Sequence, residues 1–318
     1  MPSVLLTLRM LLFPACALWL LLSCSLFDNS ERREMLNTHK RQSKIFYDRG
    51  DLERAEQQCR KGLELDSSDT TLRLTLAFTL LSKGGEKDLD EADRIFRSEI
   101  GMFTKDWRLL LGHGMVQQTL HRHRPDDVEL VADARRNLTR ALEINDESIE
   151  AAFNLSLLDL EVLEGNQNAG SAQEFEAHSG RAIELIESSD RLYPNKVKAA
   201  RDLLTQQQIE SERNTNLLRA RRLLEVRAAR AFKADRSKDA LEAMERLSRL
   251  CSLRAVDYFN RGRLREANQN YQGAVDDFEQ FVLLSRNDLD DKVTYAVQSL
   301  TRLRARLAEL RTEDVVPQ

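Results

Sequence analysis

The chain has 318 residues, 42% of them hydrophobic and 31% charged, with only 12 Gly and 5 Pro. High charge, sparse turn residues and almost no β-rich runs argue against a sheet protein and for an all-helical one. Lys plus Arg number 48 against 52 Asp plus Glu, a formal charge of -4, which is not the balance of a dedicated nucleic-acid binder.

In chain order, residues 1–23 stand apart from the fold. Arg9 is the lone charge before an apolar run from Met10 to Leu22, short for a membrane span and right for a signal-peptide core. The run ends Leu21, Leu22, Ser23, Cys24, which resembles the lipobox of bacterial lipoproteins. That resemblance implies cleavage before Cys24 and acylation of its thiol and new amine, the only covalent group expected on a chain that shows no cofactor motif. Several acyl chains anchor durably where a single one does not. The alternatives are an ordinary signal peptide and an uncleaved anchor running on through Leu26 and Phe27. Ser25 stands next, where an aspartate signals inner-membrane retention in such lipoproteins, so the resemblance implies an outer-membrane address facing the periplasm. Residues 24–35 form a lipidated tether, with a short polar stretch from Asp28 to Arg33.

The stretch Phe46 to Ser67 sets the pattern for the rest of the chain. Gly50 suits a helix C-terminus, Asp51 suits the next N-cap, and Ala55, Cys59 and Gly62 fall at i, i+4 and i+7 on one helix face. A face of such small side chains lets a second helix come close. One hairpin of this kind cannot bury its apolar face alone, so neighbours of the same kind are expected.

The spacing resembles the tetratricopeptide repeat, whose period is 34 residues. Four repeats with insertions occupy 36–196. In the second, Ala92 and Phe96 hold the small-residue face and Gly84 to Lys87 lengthen the turn. The third has Leu111 and Gly112, then Ala134, Leu138 and Ala141, with an extra segment His121 to Leu130 between its helices. The fourth has Leu155 and Ser156, then Ala182, Ile186 and Ser189, with Pro194 as terminator and a polar surface loop from Gly165 to Ala177.

Residues 197–220 read as an extra helix with Val197, Ala200, Leu203 and Leu204 on one side, extending the next repeat backwards. Repeats five and six fill 221–288, where Ala240, Met244 and Leu247 recur 34 residues on as Ala274, Phe278 and Phe281. Arg261 replaces the leucine usual in a first helix, which predicts looser packing there. A capping helix and tail, 289–318, carries Val293, Val297, Leu300, Leu303 and Leu307 on one stripe. The expected fold is an all-α solenoid of about six degenerate hairpins with this cap.

The four cysteines, Cys16, Cys24, Cys59 and Cys251, match no CxxC pair and no zinc ribbon. Cys59 occupies a packing slot, so burial explains it; a Cys59–Cys251 disulfide is the alternative in an oxidising compartment. His113, His121 and His123 reproduce no helical HExxH site, so solvated imidazoles are expected and metal binding is the lesser alternative. There is no nucleophile motif, phosphate loop or dinucleotide fingerprint, so no catalytic residue is assigned.

A basic run marks the later repeats: Arg219, Arg221, Arg222, Arg227, Arg230 and Lys233, then Arg261, Arg263 and Arg265. Solvated faces with carboxylates at i+4 account for many of them. In tetratricopeptide arrays the first helices line a groove that grips a partner peptide. That resemblance makes Lys40, Lys44, Arg222, Lys233 and Arg263 the groove candidates. Lys40 and Lys44 stand where a carboxylate clamp carries Lys and Asn, but the asparagine is missing. The function implied is a scaffold that captures an envelope protein or peptide segment at a membrane. Lipoproteins of this family help assemble secretins, porins or pili, or recruit cell-wall enzymes. A polyanion- or glycan-binding lipoprotein using the basic face is the alternative, and a metal-dependent enzyme at the histidines is a third.

Overall fold

The computed structural model describes residues 30–102, 105–166, 169–285 and 291–313. Cys24, Ser25 and the leader lie outside the described residues. Thirteen helices and no strand occur among those described. They run α1 (30–48), α2 (Leu52–Leu65), α3 (Thr70–Lys83), α4 (Glu86–Met102), α5 (Trp107–His123), α6 (Val128–Ile144) and α7 (Ile149–Asn166). Then come α8 (Ala169–Ala199), α9 (Leu203–Lys233), α10 (Ser237–Leu250), α11 (Ala255–Ala267), α12 (Tyr271–Leu284) and α13 (Asp291–Glu313). Taken in pairs they make six helix hairpins and a final helix, an all-α repeat fold. The chain divides into two compact units between Asp146 and Glu147, at the junction of the third and fourth hairpins.

Local chemistry starts and stops these helices where the sequence requires. Asp51, Asp69, Asp106, Asp127, Asp202 and Asn270 each accept a backbone N–H of the first turn, satisfying donors that lack a partner at a helix start. Gly84 closes α3 at φ +72°, where a side chain would strain the backbone.

In the first unit the small-residue faces are buried as the spacing predicts: Ala55, Cys59 and Gly62 on α2, Ala92 and Phe96 on α4, and Ala134, Leu138 and Ala141 on α6. The third position of the α4 face is Glu99, fully buried. Arg73 Nε stands 2.9 Å from Glu99 Oε1 but its N–H does not point at it, so that contact is Coulombic rather than a hydrogen bond. Burial pushes the Cys59 thiol up to about 11, against a hydrogen bond from Ser43, so it stays protonated. Cys59 and Cys251 are both free thiols.

In the second unit, the 34-residue recurrence is a packing fact. Ala240, Met244 and Leu247 are buried on α10, and Ala274, Phe278 and Phe281 on α12. Phe259 of α11 meets Phe278, Phe281 and, from α13, Tyr295, at ring separations of 6.1, 5.0 and 5.7 Å. Such tilted and edge contacts add to the area that the rings bury.

Several expectations are corrected. Pro194 terminates nothing: α8 continues through it to Ala199. The stretch 165–177 is no surface loop, because α8 is under way from Ala169 and buries Ser171 and Phe175 in the unit. The segment 121–130 is mostly helix, leaving only 124–127 between α5 and α6. The turn at Gly84 shrinks to Gly84 and Gly85. Residues 30–33, read as polar tether, open α1, where Arg32 Nε donates to the Leu65 carbonyl at 3.1 Å. On α13 the buried stripe runs through Ala296, Leu300 and Leu303, and Val297 is exposed. Val197, Ala200, Leu203 and Leu204 share no face, because the helix breaks at 200–202. Arg261 does not loosen its hairpin: Nε and Nη2 clasp Asp277 at 2.9 and 2.6 Å, and Arg265 shares the same carboxylate at 3.1 Å. An ion pair replaces the leucine.

Candidate functional site: a groove between α9 and α11

Helices α9 and α11 open the fifth and sixth hairpins and diverge enough to leave a groove of about 380 Å³. Its apolar wall includes Ala228, Ala229, Met244 and Leu264, with two side chains turned outward, Phe232 (48% exposed) and Val256 (38%). Exposed apolar side chains gathered on a concave surface mark a place where something docks.

The charges around this groove sort into two groups. At one end, Arg254 pairs with Glu225 (2.5 Å) and Asp257 (3.1 Å), and Arg221 reaches the same Asp257 at 2.7 Å. Burial pushes the Asp257 carboxyl up, but the bonds from Arg254 and Arg221 outweigh it and leave it below the usual carboxylate range. This cluster is self-neutralised and holds the start of α11 to α9.

Lys233 and Arg263 are different. Neither has a carboxylate partner among the described residues. Arg263 lies instead among three rings, 5.6 Å from Phe232, 6.0 Å from Phe259 and 5.6 Å from Tyr295. Cation–π contacts of this kind fix the guanidinium plane while leaving its N–H donors unspent.

Of the five predicted groove residues, the structure brings two together here, Lys233 and Arg263. Arg222 is exposed on α9, eleven residues before Lys233 on the same stripe as Ala229, but does not line the groove. Lys40 and Lys44 belong to the first unit and are already occupied, Lys40 by Asp69 and Lys44 by Asp48 at 3.0 Å. Most of the later basic run is likewise spent: Arg219 on Glu150, Arg227 on Glu176, and Arg261 and Arg265 on Asp277.

The three histidines do not converge on one point, and the expectation of solvated imidazoles fails at His113. His113 is buried, its Nε2 2.8 Å from Asp93 Oδ1 and its Nδ1 3.1 Å from the Asn137 amide, which also donates to Gln117 at 2.7 Å. His123 Nε2 meets the Gly84 carbonyl at 3.1 Å. No cluster of three metal-ligating side chains occurs among the described residues.

Sequence reasoning missed Phe232 and Val256. Phe232 was legible in part: it comes directly after Ala231, which sits in phase with the buried Ala220, Leu224 and Ala228, so it falls on the outer face.

No protein-family model matches the chain, and no curated protein matches it. Among solved structures, the chain is similar to PilF of Pseudomonas aeruginosa, with 17% identity over 86% of this chain and 99% of that one and a TM-score of 0.46. It is also similar to a tetratricopeptide repeat protein from Parabacteroides merdae (17% identity, 85% of this chain and 99% of that one, TM-score 0.36). A thermophilic protein with the same repeats from Thermus thermophilus is a further match (10% identity, 84% and 99%, TM-score 0.36).

Proposed function

We propose that this chain is a non-catalytic scaffold, tethered by lipid on Cys24 to the periplasmic face of a bacterial outer membrane, whose α9–α11 groove captures a segment of an envelope protein. One observation carries the scaffold: exposed Phe232 and Val256 share a groove with Lys233 and Arg263, two cations without carboxylate partners among the described residues. An apolar side chain on the partner fills the wall, and a carboxylate beside it meets the two cations. The lipid tether is supported by the Leu21–Cys24 sequence alone. It raises the local concentration of partner at the membrane without any chemical step.

A photo-crosslinking residue at Asn260, which lines the groove, tests the capture in intact cells. A discrete protein adduct is expected there and not at Gln280 on the exposed side of α12. It should vanish in the double variant Lys233→Glu, Arg263→Glu. Equal labelling at both positions would overturn the groove. Salt-sensitive binding of a polyanion that peptides fail to displace would point to the alternative instead.

A further inference from the structure

The helices α8 and α9 are 31 residues each, while their neighbours α7 and α10 have 18 and 14. At 1.5 Å per residue the two long helices span roughly 46 Å, against about 21 Å for α10. At the base of this excess, Glu187 of α8 is clasped by Arg246 of α10, whose Nε and Nη2 each donate to it at 3.0 Å. From residue 187 to residue 215 no side chain is buried. What holds this part together is the pair: Arg213 of α9 binds Asp190 of α8 at 2.6 Å and stacks 4.3 Å from the Tyr193 ring. The second unit therefore carries a two-helix arm whose tip is the break at 200–202.

The tip has an unusual composition for a solvated turn. Leu192, Leu203 and Leu204 are 53, 67 and 72% exposed. Between residues 191 and 204 there are four cations, Arg191, Lys196, Lys198 and Arg201, against one carboxylate, Asp202. Asp202 is engaged as the N-cap of α9, accepting from Thr205 N at 2.7 Å. Lys198 and Arg201 are exposed and without a carboxylate partner among the described residues, while Arg191 and Lys196 donate to the hydroxyls of Ser188 and Ser189. The chain as a whole is acidic, at -4. A cationic, leucine-bearing end on an arm with no buried side chain has the chemistry of an interfacial membrane contact, in which apolar side chains enter below the headgroups and Lys and Arg meet anionic lipid.

We propose that the tip of the α8–α9 arm docks on an anionic lipid surface, giving the second unit a contact with the bilayer independent of the lipid on Cys24. The inference goes beyond the tether proposed above, and a membrane address is its premise. A soluble polyanion would use the cations but leave the leucines in water. An apolar protein partner would use the leucines but has no need of the cations.

The test uses the full chain with vesicles of phosphatidylcholine alone and of phosphatidylcholine mixed with phosphatidylglycerol. Flotation with the neutral vesicles reads the tether. Amide hydrogen exchange across 187–215 on the mixed vesicles reads the tip. Slowing of roughly tenfold or more in this stretch, seen only with phosphatidylglycerol, is expected. It should be lost in Lys198→Glu, Arg201→Glu and weakened in Leu203→Ser, Leu204→Ser, all of them at exposed positions. If the chain floats with neutral vesicles yet its tip exchanges at the same rate on both, the tip proposal fails and the tether stands. If the chain ignores neutral vesicles but its tip is protected on anionic ones, the tether fails and the tip stands. Protection that survives the charge reversals, or needs an added protein rather than phosphatidylglycerol, overturns the lipid assignment.

Discussion

Gly112→Ala separates two opposed effects at one atom. Replacing a glycine inside a helix by alanine ordinarily stabilises, by about 1 kcal/mol, because the backbone loses less freedom on folding. At Gly112 of α5, an added Cβ would sit 2.5 Å from Phe96 Cζ and 3.0 Å from Phe78 Cε1. Those rings cannot step aside, since they pack edge to face at 5.1 Å and Phe96 is fully buried. Overpacking of this sort costs about 1–3 kcal/mol, enough to reverse the sign. Gly101, near the end of α4 in the same unit, is the control, because an added Cβ there meets nothing within 4 Å. Urea denaturation monitored by Trp107 fluorescence should show Gly112→Ala less stable than the parent and Gly101→Ala unchanged or slightly more stable. If Gly112→Ala raises the midpoint as much as the control does, close helix approach is not what keeps this position small.

Ala274→Phe should destabilise the second unit by about 1–3 kcal/mol, since α12 has no room there; an unchanged melting midpoint would place that face wrongly. Asp277→Asn leaves Arg261 and Arg265 half-buried without their shared counter-charge and should cost about 3–5 kcal/mol, while Asp48→Asn at an exposed pair should cost about 0–1 kcal/mol; equal effects would refute the distinction. Burial pushes the Asp93 carboxyl up, but the hydrogen bond and charge of His113 outweigh it and hold it below its ordinary value. Its contribution is therefore complete above about pH 4 and is lost as pH falls below that, so His113→Ala should flatten the acid side of the stability profile measured by urea midpoints. Cys24→Ser should move the chain from the membrane pellet to the soluble fraction; retention in the pellet with the leader intact would favour an uncleaved anchor.

The hairpins were legible because small residues at i, i+4 and i+7 mean close helix contact wherever they occur, and because Ala240 and Ala274 lie one period apart. Helix ends at Gly50 and Gly84 were legible for a different local reason, the positive φ of +75° and +72° that glycine takes without strain. What escaped is what depends on neighbours. Pro194 looks like a stop, yet it sits on the outer side of α8, in the stretch where no third helix presses on it and the chain continues past it. Arg261 looks like a defect until Asp277 arrives from the next helix. The groove was half legible. Its cations fall in a basic run, but nothing in the run tells Lys233 and Arg263, left over, from Arg219 and Arg227, neutralised by residues about fifty to seventy positions away in sequence.

The unpacked reach of α8 and α9 has a consequence for how this molecule can vary. Seven residues gained by each strut would lengthen it by about 10 Å and bring both back to nearly the same rotational phase. Matched gains or losses there would change the span to whatever the tip touches while the bundled hairpins below stayed as they are. Among related chains, the distance from Ile186 to Asn216 should therefore drift in paired steps of whole turns, like the tube of a telescope, while the spacings on either side hold still.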